Sequence, residues 1–309
     1  MITKEEMSEY VEKNIPVLKL IVQSQWDFIK FTDVQKFIDS NFKNDVEGKY
    51  YTLKILLHLI YYNKQDIIEL IKFGLYEKIY GDEYRNQLIA NANIFIGKTD
   101  NIAAINDYKK LSFFAPILGS GKPSESGNTM ISDLVHSLDI SDTNVDYHYN
   151  ITREKLKGKK VLIFVDDCLG SGVQLKTFLK SDSVKKLLLL AMALNVKVFC
   201  LIIVGYQKNV DRLKKVLALR NIQLVVSELL NEKHRIFSTE NVVWSKEFDE
   251  LGQALIYFQK IQKEKGIGYQ GFKKLDFAIV LHNRTPNWSL PLFWKTGAEW
   301  NILIQRKTS

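Results

Sequence analysis

The chain has 309 residues, of which 46% are hydrophobic and 25% charged, with a formal net charge of +8. This excludes a disordered or low-complexity chain and leaves room for an α/β domain of roughly 200 residues with a smaller partner. The positive balance permits nucleic acid as a partner, but the lysines are scattered in pairs such as Lys159-Lys160, Lys185-Lys186, Lys214-Lys215 and Lys273-Lys274, the pattern of solvated faces.

Residues 1 to about 95 read as helices. Thr32 and Gln35 have the spacing of a capping box, ahead of Val34, Phe37, Ile38 and Phe42 on one face. A second helix carries Leu53, Leu56, Leu57, Ile60 and Tyr61, and a third carries Ile67, Ile68, Ile71 and Leu75 and ends near Gly74. From about 110 the rhythm changes. A strand at 113–118 leads into the loop 119–127 and a helix carrying Met130, Ile131, Leu134, Val135 and Leu138. The strand 161–167 with its helix follows, then the strand 196–204, a helix over 208–219, the strand 222–226, a helix over 246–264 and the strand 276–281. Strands alternating with helices predict a mostly parallel sheet covered on both faces. The expected division is an N-terminal helical region, 1–100, and an α/β domain, 101–309.

Two cysteines, Cys168 and Cys200, both in or beside apolar strands, give no disulfide framework and suit a reducing compartment. The N-terminus is acidic and amphipathic, unlike a signal peptide, and the apolar runs 187–194 and 198–206 are too short to cross a bilayer. A cytoplasmic protein without a membrane partner is expected.

The chemistry concentrates at Val161-Leu162-Ile163-Phe164-Val165-Asp166-Asp167-Cys168-Leu169-Gly170-Ser171-Gly172-Val173. A buried strand delivers two carboxylates to its carboxyl end, where open α/β sheets bind ligands. A tight Gly/Ser turn then opens a helix carrying Leu175, Phe178 and Leu179. Turn amides and helix dipole suit a phosphate, and the carboxylates suit hydroxyls or Mg²⁺. A Rossmann site fits badly, because its glycine fingerprint follows the first strand with no acid pair in front. A receiver-type aspartate cluster would lie near the chain start. A P-loop ATPase would use Gly119-Ser120-Gly121-Lys122, but Pro116 stands where the loop needs glycine and Pro123 where it needs Ser or Thr.

The stretch 161–174 resembles the phosphoribosyl-pyrophosphate (PRPP) signature of type I phosphoribosyltransferases. The resemblance implies that Asp166 and Asp167 bind the ribose 2′ and 3′ hydroxyls and Mg²⁺. It also implies that Leu169, Gly170, Ser171, Gly172, Val173 and Gln174 hold the 5′-phosphate. Ser171 takes the first Thr position of the signature and keeps its hydroxyl. Gln174 takes the closing Thr position and alters the phosphate cradle. The loop with Lys122, Ser124, Ser126 and Gly127 occupies the place of that family's pyrophosphate loop. The mobile basic or aromatic loop usual in the family has its counterpart in 139–152, which contains three aspartates and no Lys or Arg. Cys168 abuts the site but has no identifiable base beside it.

A third patch, Leu281-His282-Asn283-Arg284-Thr285-Pro286-Asn287-Trp288, follows the last expected strand. If that strand is parallel to 161–166, His282, Asn283 and Asn287 reach a base attached to the ribose, with Trp288 stacked on it. The alternative is a capped turn that packs the C-terminus. The whole set of motifs resembles the divergent phosphoribosyltransferase-like proteins of bacterial conflict (anti-phage) systems. The resemblance implies either phosphoribosyl transfer to a base or nucleic-acid acceptor, or a non-catalytic nucleotide-binding sensor or partner-regulated effector. The N-terminal helices are the expected surface for a protein partner or a homo-oligomer.

Overall fold

The structure, a computed structural model, describes residues 2–90, 98–119, 126–246, 249–282 and 284–305. In chain order the first elements are α1 (Lys4–Gln25), α2 (Phe31–Asn41), α3 (Val46–Leu57), β1 (Ile60–Tyr62), α4 (Lys64–Lys72), a π-helical turn over Phe73–Gly81, α5 (Asp82–Ala90) and α6 (Lys98–Leu111). Then come β2 (Ser112–Pro116), α7 (Ser126–Leu138), α8 (Arg153–Leu156), β3 (Val161–Leu169), α9 (Val173–Lys180), α10 (Asp182–Ala193) and β4 (Lys197–Tyr206). The last are α11 (Gln207–Ala218), β5 (Ile222–Leu230), α12 (Glu250–Lys265) and β6 (Ile279–Leu281). Among the described residues no helix is long and apolar enough to cross a membrane.

Packing divides this α/β chain elsewhere than at residue 100. One compact unit comprises 1–67 with 231–308, and the other 68–230. In the first unit the N-terminal helices fold together with the C-terminal part of the chain. Leu18, Val22, Phe37, Phe42 and Tyr51 share a core with Tyr257, Val280, Leu290, Phe293 and Trp300. The rings of Phe37 and Phe42 meet Trp300 edge-on at 6.0 and 5.5 Å. At the start of α1, Thr3 and Glu6 cap each other: the Glu6 amide donates to Thr3 Oγ1 at 3.2 Å and the Thr3 amide to Glu6 Oε2 at 2.7 Å. The capping box expected at Thr32 and Gln35 is not the one used. Asp33 Oδ2 accepts from the Lys30 amide at 3.0 Å, so α2 starts one residue before Thr32.

Two further expectations are corrected here. The strand expected at 276–281 is shortened to β6 and does not join the main sheet; it pairs in parallel with β1, in register Ile60↔Ile279 to Tyr62↔Leu281. The third N-terminal α-helix ends at Lys72, beside Gly74, but the chain does not leave the helix there: it continues as the π-helix Phe73–Gly81. A side chain at Gly74 would run into Ser227 Oγ and lie only 2.6 Å from Leu201 Cδ1. That glycine permits close packing rather than a stop.

The second unit holds a four-stranded sheet in the order β2-β3-β4-β5, all parallel. One face, with Leu162, Phe164, Cys200, Ile202 and Leu224, packs on Leu175, Phe178, Leu187, Val210 and Leu213 from α9, α10 and α11. The other face meets α7 and the π-helical turn. Burial on both faces explains why these strands read as continuous apolar runs.

Candidate functional site

Strand β3 carries the acid pair, but the pair is not its last hydrogen-bonded part as the sequence suggested. Asp166 stands in register with Ile202, and β3 continues to Leu169 opposite Gly205. The turn is therefore short: Gly170, Ser171 and Gly172 lead straight into α9. Asp166 and Asp167 are both buried, with 3% and 8% exposure. Asp166 Oδ1 accepts from Ser126 Oγ at 2.6 Å and from the Asp167 amide at 3.0 Å, and Oδ2 accepts from Gln174 Nε2 at 3.0 Å. Burial, then the neighbouring Asp167 charge, pushes the Asp166 carboxyl well above the usual carboxylate range.

A carboxyl held above its unfolded value of about 3.8 stabilises the fold most at low pH, and that stabilisation is lost as pH rises through the folded value. Asp166→Asn removes the charge while keeping an acceptor for Ser126. The variant is expected to melt higher than wild type at neutral pH, by ~2–4 °C for each kcal/mol of relief. The gap should close as pH falls toward 4, which parallel thermal scans would show. Equal melting temperatures at pH 7 would count against the repulsion.

The turn is supported from two sides. Asn209 Nδ2 on α11 donates to the Gly170 carbonyl at 2.8 Å, and Ser171 Oγ accepts from the Val173 amide at 3.4 Å. Gly172 has φ 73°, ψ 12°, the left-handed region, and a Cβ there would lie 2.5 Å from Leu213 Cδ1. Gly172→Ala is expected to cost about 1–3 kcal/mol from backbone strain and overpacking, read as a lower urea midpoint. An unchanged midpoint would mean that the turn relaxes freely.

Of the expected contact residues, Ser126, Gly127 and Gln174 gather around the acid pair and its turn; Gly127 is packed against the backbone of Ile117. Leu169 is buried in the core beneath α9, so only its backbone faces the turn, while Val173 is exposed. Lys122, Ser124 and Asn283 lie outside the described residues. His282 and Asn287 belong to the first unit, since β6 pairs with β1. His282 Nδ1 donates to Asp27 Oδ2 at 2.8 Å, and the Asn287 carbonyl accepts from the Phe272 amide at 2.8 Å. Trp288 has 2% exposure and meets Phe277 edge-on at 4.9 Å, so its face is closed to a base. The premise that this segment leaves the same sheet as the acid pair is overturned.

Residues 139–152 are stitched beside β2: Val145 bridges Phe114, and the Asp146 amide donates to the Phe114 carbonyl at 3.1 Å. The half-buried His148 ring sits 5.1 Å from Phe178, and burial lowers its pKa. Neither Cys168 nor Cys200 forms a disulfide; burial pushes the Cys200 thiol up to about 12, and Cys168 is half-buried. Sequence reasoning missed Asn209. Its one signal is an amide side chain in the first turn of the helix after β4, at the edge of the sheet where the acid pair lies.

Both carboxylates are hard oxygen donors suited to Mg²⁺, but among the described residues no three His, Cys, Asp or Glu side chains converge as a metal site. A two-carboxylate site fits a magnesium ion that retains waters and completes its shell with ligand phosphates. Asp166 and Asp167 would hold it.

Among solved structures, the chain is similar to the orotate phosphoribosyltransferase from Aeropyrum pernix, with 15% identity and a TM-score of 0.24 over 40% of this chain. The match spans 61% of that enzyme's length. No curated protein matches the sequence. The family model PRTase-CE matches residues 34–306, and the chain accordingly belongs to the PRTase-CE family of phosphoribosyltransferase-like proteins.

Proposed function

We propose that the β3 site binds PRPP or a related ribose 5-phosphate compound together with Mg²⁺. The observation that carries this reading is the acid pair of β3, followed within three residues by a glycine turn whose left-handed Gly172 opens α9. In that reading Asp167 and Asp166 accept hydrogen bonds from the ribose hydroxyls. The turn amides and Ser171 take the 5′-phosphate. Mg²⁺, when bound, neutralises pyrophosphate charge. If transfer occurs, the carboxylates also stabilise the positive charge that develops on the ribose ring.

A non-catalytic nucleotide sensor or partner-regulated effector is the second reading. Two observations favour it: Gln174 is engaged with Asp166, and 139–152 holds no Lys or Arg to close over a leaving group. The setting we propose for either reading is bacterial anti-phage defence, on the resemblance of the motif set, in the cytoplasm.

Calorimetry with PRPP, ribose 5-phosphate and nucleotides, each with Mg²⁺, tests the binding. Saturable heat with at least one is expected, and no heat with any at millimolar concentration would sink the proposal. Release of pyrophosphate from PRPP with a base or single-stranded nucleic acid then separates transfer from sensing.

A further inference from the structure

A carboxylate offers about four lone-pair positions. Asp166 commits three of them within the protein: two on Oδ1, to Ser126 Oγ and the Asp167 amide, and one on Oδ2, to Gln174 Nε2. The first two bonds come from the start of α7 and from the backbone of β3, which the fold holds in place. The third comes from a flexible side chain whose residue is exposed on the first turn of α9. Gln174 is thus the member of this shell that can leave without unfolding anything.

Gln174 also stands where the phosphoribosyltransferase signature closes with Thr, and its longer side chain reaches back to the acid pair. While it does so, its amide holds one of the two positions on Asp166 Oδ2 and leaves the carboxylate a single position for an incoming hydroxyl or cation. Resting on the ligand reading above, we infer that Gln174 is a built-in competitor, a specificity-determining residue that a ribose phosphate and Mg²⁺ together must displace from Asp166. Discrimination follows. A ligand that only fills the phosphate turn leaves Gln174 in place. One that presents vicinal hydroxyls with a bound cation offers enough new interactions to move it.

Gln174→Ala removes the competitor, and Gln174→Asn keeps the amide but shortens its reach by one methylene. Neither disturbs the core, because the residue is exposed. Titrations use ribose 5-phosphate and PRPP, each with Mg²⁺, against wild type and both variants. A hydrogen bond to a charged group contributes ~1.5–3 kcal/mol, so both variants should bind roughly tenfold tighter or more. Inorganic phosphate, which does not need Asp166, should bind all three proteins alike. The wild-type Gln174 side-chain amide resonance should shift on adding PRPP with Mg²⁺ and stay put with phosphate. Weaker binding by Gln174→Ala would make Gln174 a ligand-binding group and overturn the inference, as would equal affinities. Those outcomes leave the ligand reading intact. Absence of binding by wild type and both variants alike would overturn that reading and this inference together.

Discussion

Asp167→Ala is expected to weaken binding of PRPP with Mg²⁺ by tenfold or more while leaving the protein folded. Each charge-assisted hydrogen bond from a ribose hydroxyl contributes ~1.5–3 kcal/mol, and removing a single such bond already accounts for about a factor of ten. Loss of fold cannot produce the same result. Asp167 is a buried like charge beside Asp166, whose carboxyl it helps to push up, so its removal relieves repulsion. A melting temperature at or above wild type, together with binding weakened by tenfold or more, is the combination expected. Asp167→Asn separates charge from shape: the amide retains one hydrogen-bonding oxygen but does not suit Mg²⁺, so the Mg²⁺-dependent part of the affinity should vanish first. Calorimetry with and without Mg²⁺ reads both. Unchanged affinity in Asp167→Ala would place the ligand elsewhere.

The contrast between the two acids has a physical source. Asp166 and Asp167 are adjacent on β3 and close enough for the Asp167 charge to act on the Asp166 carboxyl, so what separates them is the set of groups that holds each one. Asp166 is gripped by Ser126 and Gln174 from the starts of α7 and α9. A pair of carboxylates buried side by side is costly, and such costs cluster at sites where a ligand uses the charges.

The second unit was legible from sequence because each of its elements announces itself locally. Strands buried on both faces are apolar runs, and 161–165 and 198–204 read as such before any pairing is known. The acid pair and the glycine turn are adjacent in sequence, so their convergence needs only one strand–turn–helix connection. Ser126 was found through topology: the strand before β3 ends on the same edge of a parallel sheet.

The first unit was not legible in this way. Strand β1 is three residues long and its sequence, Ile60-Tyr61-Tyr62, continues the apolar spacing of α3; its partner β6 lies near the other end of the chain. No local pattern encodes such a pairing. The same blind spot misplaced His282, whose strand looked like one more member of an alternating series. Trp288 looked like a stacking platform because aromatic type is visible in a sequence and burial against Phe277 is not. Gly74 looked like a helix stop because the sequence shows the missing side chain, not the Ser227 and Leu201 side chains pressed against it.

Lys54→Met is expected to destabilise the first unit by about 3–5 kcal/mol, the usual consequence of stripping one partner from a buried ion pair. Lys54 Nζ donates to both oxygens of Glu250, at 2.6 and 2.7 Å, and Glu250 has no exposed surface. Tyr50 Oη and the Ser245 amide also donate to that carboxylate, at 2.5 and 2.6 Å. The ammonium lies 5.6, 5.3 and 5.8 Å from the rings of Tyr10, Tyr50 and Trp244. These interactions tie α3 to the start of α12, an N-terminal helix to a C-terminal one, which is the closure that no local pattern foretold. Without Lys54 the two remaining donors face a full charge in an apolar surround. The corresponding fall in melting temperature is roughly 6–20 °C. Combining Lys54→Met with Glu250→Gln removes the orphaned charge while keeping acceptor and shape, and it should recover at least half of the loss. A double variant no more stable than Lys54→Met alone would mean that the lysine acts through its aromatic neighbours and not through Glu250. A single variant melting with wild type would mean that the ion pair contributes nothing to the closure.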